Sequence, residues 1–246
     1  GLVLDLMPFD PSGRAADYVT DYLEDGNLLF CRMPRFRRDV GAGGLDGLYG
    51  LGYLLTKLQQ DKLDEFLLGL YGYVAYNMDR DTFASRETNL IYASDLHMRS
   101  RYKVPEMSDP VPCSAAVALH YLRNALVTEK LSGPGIPSGE LLLLHGTPRA
   151  WFSEGKRIAL SDAPTHFGEM SLQVECAEGH IKATVQAPTR DPWKAIALRL
   201  RPPRGEAFAR VTVNGQEWAN VDADREVVTL EPGADVYEVV VEYGRG

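Results

Sequence analysis

"RVTVNGQEW", residues 210–218, decides the fold of the C-terminal part of this chain. Asn214-Gly215 between two strand-like runs is the strongest short-range hairpin signal, because both central residues of a type I′ turn need positive φ. Working outward, the hydrophobic period is two from residue 140 to the end. "ELLLLHG" reads as a short buried run, and "RIAL", "MSLQVEC", "HIKATVQAP", "WKAIALRLR", "RVTVN", "EVVTL" and "DVYEVVVEY" follow it as strands. "CAEGHI" predicts a second tight turn. Ile196, Leu198 and Leu200 alternate with Ala197, Arg199 and Arg201, which predicts one buried and one exposed face. Strands repeating in this way predict an antiparallel β-sandwich over residues 140–246.

Upstream the period changes to that of helices. "DPSGRAADYVTDYLEDG" offers Asp10 as N-cap, Pro11 as first helical residue and Gly26 as stop, with Ala15, Tyr18, Val19, Tyr22 and Leu23 on one face. "GLDGLYGLGYLLTKL" puts Leu48, Leu51, Leu54, Leu55 and Leu58 on a stripe. "DKLDEFLLGLYGYVAYNM" does the same with Leu63, Phe66, Leu67, Leu70 and Val74. The short "QQD" between them predicts antiparallel neighbours. "PCSAAVALHYLRNALVTEK" is a fourth helix, with Ala115, Ala118, Leu119, Leu122 and Leu126 inward and a break at Gly133-Pro134. Gly47, Gly50, Gly52, Gly69 and Gly72 each cost about 1 kcal/mol against Ala in a helix interior, so they imply close helix approach or a ligand cavity. "LSGPGIPSGE" reads as the boundary, giving helical hairpins over 1–139 and strands over 140–246.

With 246 residues, 45% hydrophobic and 24% charged, the composition is that of an ordinary globular protein. The net charge of −8 argues against nucleic acid as a partner, and no apolar run is long enough to span a membrane. The start "GLVLDLMPFD" reads as a processed or excised piece, and the sequence is silent on export. Cys31, Cys113 and Cys176 lack metal-site spacing and allow at most one disulfide. Cys113 at a helix start is a candidate for a lowered thiol pKa, though a structural thiol is the simpler reading. Walker, GxGxxG, HExxH and GxSxG signatures are missing, and "GAGGLDGLYGLG" has no strand before it to make a phosphate cradle. No metal or cofactor is expected.

"TFASRETNLIYASDLHMRSRY", residues 82–102, interrupts the helical pattern with charged and aromatic residues. Glycosidic cleavage needs one carboxylic acid to protonate the leaving oxygen and a second carboxylate to act on the sugar or on water. Glu87 is the catalytic candidate, beside Arg86 and Asn89, which suit a sugar hydroxyl. Asp95, Glu106, Asp81 and Asp46 are candidate partners, and His97 is suited to substrate contact or acid–base work. Tyr49, Tyr53, Tyr71, Tyr73, Tyr76 and Tyr92 supply faces on which sugars stack, or ordinary domain borders. A run of charges in a loop is also the common dress of a solvated surface. "HGTPRAWFSEGKRIALSDAPTHFG" reads as an interdomain plug, with Trp151 and Phe152 buried against the helical half and Arg149 paired with a carboxylate there.

"GTPRAWFSEGKRIALSDAPTHFGEMSLQVE", "IKATVQAPTR" and "IALRLRPPRGEAFARVTVNGQEW" resemble the C-terminal β-domain of bacterial glycoside hydrolases built on an (α/α)6 toroid. "YVAYNMDRDTFASRETNLIY" and "SAAVALHYLRNALVTE" resemble the last helices of such a toroid. The resemblance implies a six-hairpin glycosidase of polysaccharide or glycoconjugate breakdown. Since a full toroid has twelve helices, it implies that this is a C-terminal part, inactive alone, whose N-terminal part is a partner in the same enzyme. Glu87 is then catalytic, and Arg86, Asn89, Tyr92, Asp95, His97, Tyr49 and Asp46 bind the carbohydrate. A secreted or periplasmic location is compatible with that role. Two alternatives stand: a non-catalytic carbohydrate-binding or scaffold module, and a toroid-fold polysaccharide lyase using Tyr92 with His97.

Overall fold

The computed structural model describes residues 10–36, 44–48, 50–78, 81–85, 88–90 and 111–244; at 36, 44, 46 and 88–90 it describes the backbone. Contacts divide the chain into two compact units, residues 1–124 with 131–136, and residues 125–130 with 137–246.

In the first unit, helix α1 spans Arg14–Asp25. Its N-cap is Gly13 rather than Asp10, which closes the preceding turn: its carbonyl accepts from the Gly13 N–H and its Oδ1 from the Ser12 N–H, both at 2.9 Å. Of the expected face Leu23 is buried, together with Ala16 and Thr20, while Tyr18 and Tyr22 are exposed. Thr20 tolerates burial because its hydroxyl donates to the Asp17 carbonyl at 3.0 Å.

Helix α2 spans Leu51–Gln59 and α3 spans Leu63–Asn77. The expected start of α2 near residue 44 is overturned, because Gly44–Asp46 is a strand. Leu54 of α2 faces Gly69 of α3, and the two are equidistant to within one residue from the turn at Asp61, as in an antiparallel hairpin. A Cβ on Gly69 would stand 2.3 Å from Leu54 Cδ2, and one on Gly72 would stand 2.8 Å from the Cys31 carbonyl oxygen. These two glycines serve close packing. In α3 the buried residues are Phe66, Gly69, Leu70, Gly72, Tyr73 and Asn77, while Leu68, Tyr71 and Val74 are exposed. Helix α4 spans Pro112–Leu126. It buries Ser114, Val117, Tyr121 and Ala125 and exposes the expected core residues Leu119 and Leu122.

A small antiparallel sheet joins these helices. Its strands run in the order β1 (Leu29–Phe30), β2 (Met33–Phe36), β3 (Gly44–Asp46) and β4 (Thr88–Leu90). Cys31 and Arg32, both at positive φ, form the tight turn between β1 and β2 without the Asn-Gly that would announce it.

The remaining strands form two sheets. One has the order β13 (Val221–Asp222), β14 (Val227–Leu230), β10 (Ala195–Arg199), β6 (Ile136–Leu143), β5 (Val127–Gly133). The other has the order β12 (Gln216–Glu217), β11 (Phe208–Val213), β15 (Val236–Tyr243), β9 (His180–Gln186), β8 (Gly168–Ala177), β7 (Arg157–Thr165). "LSGPGIPSGE" is thus no linker but part of the β5–β6 hairpin, turning at Pro134-Gly135, and the boundary expected at 139 falls inside β6. The sheets are not wholly antiparallel, since β10 runs parallel to β6, Leu198 opposite Leu143. Asn214 and Gly215 take φ of 50° and 78° between β11 and β12, the conformation their sequence requires.

One hydrophobic core is shared by inward residues of both sheets, among them Leu141, Leu143, Ile196, Leu198 and Leu230 from one and Leu172, Val174, Ile181, Val185 and Val239 from the other. Each such side chain contributes roughly 1.5–3 kcal/mol by burial. Phe152, on a short 3-10 turn (Arg149–Phe152), belongs to this core. Arg149 pairs with Glu226 at 2.5 Å and donates to the Pro202 carbonyl at 3.1 Å. The expected interdomain plug is therefore overturned: Phe152 and Arg149 are spent inside the strand-rich unit. The outward face of β10 also departs from expectation, because Arg199 is 3% exposed and its Nε donates to the Arg225 carbonyl at 3.0 Å.

Candidate functional site

The polar segment is pinned near its start, at Ser85. The Ser85 hydroxyl donates to the Val111 carbonyl at 2.7 Å, and the Val111 N–H donates back to the Ser85 carbonyl at 2.9 Å. Both residues are buried, and Ser85 also bridges to Met78. The pairing ties the end of the turn after α3 to the residue that precedes α4.

Glu87, Arg86, Tyr92, Asp95, His97 and Tyr49 lie outside the described residues, as does Glu106. Asp46 and Asn89 are described by their backbone. They stand on adjacent strands, Asp46 opposite Thr88 and Leu45 opposite Asn89, so β3 and β4 bring the chain at Asp46 beside the residue that follows Glu87. Asp81 is exposed on a turn. The segment leaving β3 is held from below: the Tyr73 hydroxyl lies 2.7 Å from both the Gly47 and Ser114 carbonyls, giving its single proton to one at a time. Tyr73 meets Tyr121 edge-on at 5.3 Å, and a Cβ on Gly50 would stand 2.8 Å from Pro34 Cδ and 3.2 Å from the Tyr121 hydroxyl. Buried Tyr53 and Tyr73 are thus internal fixtures, whereas Tyr71 and Tyr76 are exposed.

A charged cluster that sequence reasoning missed lies in the same unit. Glu24 Oε1 accepts from the Lys57 ammonium at 2.5 Å, the Tyr53 hydroxyl at 2.9 Å and the Arg32 guanidinium at 3.2 Å. Arg32 also donates to the Tyr53 oxygen at 3.0 Å. Lys57 is 1% exposed, while Glu24 and Arg32 each keep about a quarter of their side chains in water. Burial alone would raise the Glu24 carboxyl, but the bonds from Lys57 and Tyr53 and the charges of Lys57 and Arg32 outweigh it and hold it below its ordinary value. Burial and the Glu24 carboxylate push the Tyr53 phenol upward, keeping it a proton donor rather than a nucleophile. The cluster clamps the end of α1, the β1–β2 turn and α2; its chemistry is structural. The signal is a lysine four residues after a tyrosine inside a mostly apolar helix.

All three cysteines are free; Cys113 is exposed, and burial pushes the Cys176 thiol up to about 11. Among the described residues no three His, Cys, Asp or Glu side chains are grouped to hold a metal ion. Among them, too, no helix is long and apolar enough to cross a membrane.

No family model matches the chain. No curated protein matches it significantly either. Solved structures with partial likeness include glycoside hydrolases. An alpha-L-rhamnosidase from Streptomyces avermitilis, complexed with L-rhamnose, aligns over 93% of this chain and 19% of its own, at 12% identity and TM-score 0.44. A protein titled only glycoside hydrolase aligns over 79% of this chain and 31% of its own, at 14% identity and TM-score 0.40. A GH31 dextranase from Flavobacterium johnsoniae aligns over 42% of this chain and 16% of its own, at 9% identity and TM-score 0.31. The chain spans less than a third of the length of each. Likeness at this level identifies neither a family nor a substrate.

Proposed function

We propose that the chain is the C-terminal part of a carbohydrate-active enzyme, a glycoside hydrolase in which helical hairpins of an (α/α) toroid are followed by a β-sandwich. The observation that carries the architectural half of this reading is the character of α3 and α4. Their 15 residues each contain only Asp64 and Glu65, and only Arg123, as charged groups. Beyond their buried faces they expose Leu68, Tyr71 and Val74, and Leu119 and Leu122. Apolar side chains exposed on more than one face of a helix favour a place inside a larger packed body. Further helices of the same polypeptide covering these faces complete the ring.

Glu87 acts as the general acid, with a second carboxylate, Asp95 or Asp46 or one from the rest of the ring, as its partner. Arg86, Asn89, Tyr92, Asp95, His97, Tyr49 and Asp46 bind the carbohydrate. The bond between Ser85 and Val111, on either side of this stretch, and the register that sets Asp46 opposite Thr88 support one site rather than scattered charges.

The test is product analysis. The longer polypeptide containing this chain, incubated with a panel of polysaccharides and glycoconjugates, is expected to release saturated sugars with new reducing ends. Release of unsaturated sugars absorbing in the ultraviolet would replace hydrolysis by the lyase reading, and binding without any product would replace it by the non-catalytic module.

A further inference from the structure

The outer face of the six-stranded sheet carries a polar trough. Two neighbouring rows cross it: Ala159, Gln173 and Thr184 in one, Ser171, Gln186 and Val236 in the next. The short side chains Ala159, Ser171 and Thr184 leave edge strand β7 and its neighbours β8 and β9 low, and a cavity of about 330 Å³ opens above them. A second cavity, about 360 Å³, continues past Ser171 and Gln186 toward Asp162, Glu169 and Asp235. The bulge of β7 between Leu160 and Ala163, with Asp162 at φ 50°, stands where the two meet.

Part of this lining is already oriented and part is unspent. Ser171 Oγ accepts from the Asp162 N–H at 3.0 Å, and Gln173 Nε2 donates to Glu175 at 3.1 Å. Among the described residues, the side chains of Arg157, Ser161, Thr184 and Gln186 form no hydrogen bond. Apart from Arg157 at one end, which only donates, these groups are amides and hydroxyls that both donate and accept, which matches a ligand whose surface is mostly hydroxyl. Carboxylates at the Asp162 end oppose an anionic polymer, and Val236 is the one exposed large apolar residue on the lining, too little for the centre of a protein interface.

We propose that this trough binds an uncharged oligosaccharide. The site lies in the strand-rich unit and needs no catalytic residue, so it goes beyond the hydrolase reading and stands or falls separately from it. Calorimetric titration of the purified 246-residue chain with hexasaccharides of glucan, xylan, mannan and galactan, and with hexagalacturonate as the charged control, tests it. Saturable binding of at least one neutral hexasaccharide is expected. That binding should weaken at least tenfold in the double variant Gln173→Ala with Gln186→Ala, and again in Thr184→Arg, which fills the trough floor. Thermal midpoints should be unchanged in both. Absence of binding by every neutral hexasaccharide, binding of hexagalacturonate alone, or wild-type affinity in folded Thr184→Arg would overturn the proposal.

Discussion

Lys57 is the residue whose surroundings say most about how the helical unit is held. A lysine at 1% exposure survives because Glu24 meets it at 2.5 Å, and removing that carboxylate strands a buried charge. Glu24→Gln is therefore expected to cost about 3–5 kcal/mol in urea unfolding, and adding Lys57→Met should recover most of it, since the pair is worth less than the penalty of breaking it. The pH dependence has a definite sign. The folded carboxyl lies below its ordinary value of 4.5, so its contribution is complete above that value and is lost as pH falls through the lower, folded one. Glu24→Gln should flatten the acid limb of the stability profile. Gly69→Ala tests the close approach: helix propensity favours it by about 1 kcal/mol, but its Cβ would stand 2.3 Å from the buried Leu54 side chain. Net destabilisation of about 1–3 kcal/mol is expected from overpacking.

At the scale of elements, the sequence is legible where its pattern is unambiguous. The eight strand-like runs from residue 140 coincide with strands, and Asn214-Gly215 turns as its chemistry requires. Helix faces are less legible, for a physical reason. Nearly uncharged α3 and α4 offer apolar residues in every direction, so periodicity cannot choose between Leu119, which is exposed, and Val117, which is not. The small sheet escaped notice because its turn uses Cys31 and Arg32 at positive φ, and its third strand hides in a glycine run that resembles a helix start. The buried Arg199 escaped because alternation predicts which face a residue takes but not what covers it. The exposed faces give an element-scale prediction. Leu68→Glu with Leu119→Glu should leave the isolated chain as stable or more soluble, yet destabilise the longer polypeptide by several kcal/mol, as burying unpaired carboxylates does. Equal effects on both would deny that these faces are covered.

For the molecule as a whole, the candidate site is legible as a composition, with Glu87, Arg86, Tyr92, Asp95, His97 and Tyr49 outside the described residues. Charges and aromatics between helices marked residues 82–102, and the described residues add the Ser85–Val111 bond and the Asp46–Thr88 register. Which carboxylate acts depends on distances among side chains that sequence order does not encode, and in the proposed enzyme some of those side chains come from the rest of the ring. The most direct test of the central claim is the turnover of Glu87→Gln in the longer polypeptide on the glycan that the wild type hydrolyses. Loss of a general acid predicts a fall in kcat of about 10²–10⁴-fold with the fold intact; a folded variant that turns over at the wild-type rate contradicts the assignment of Glu87.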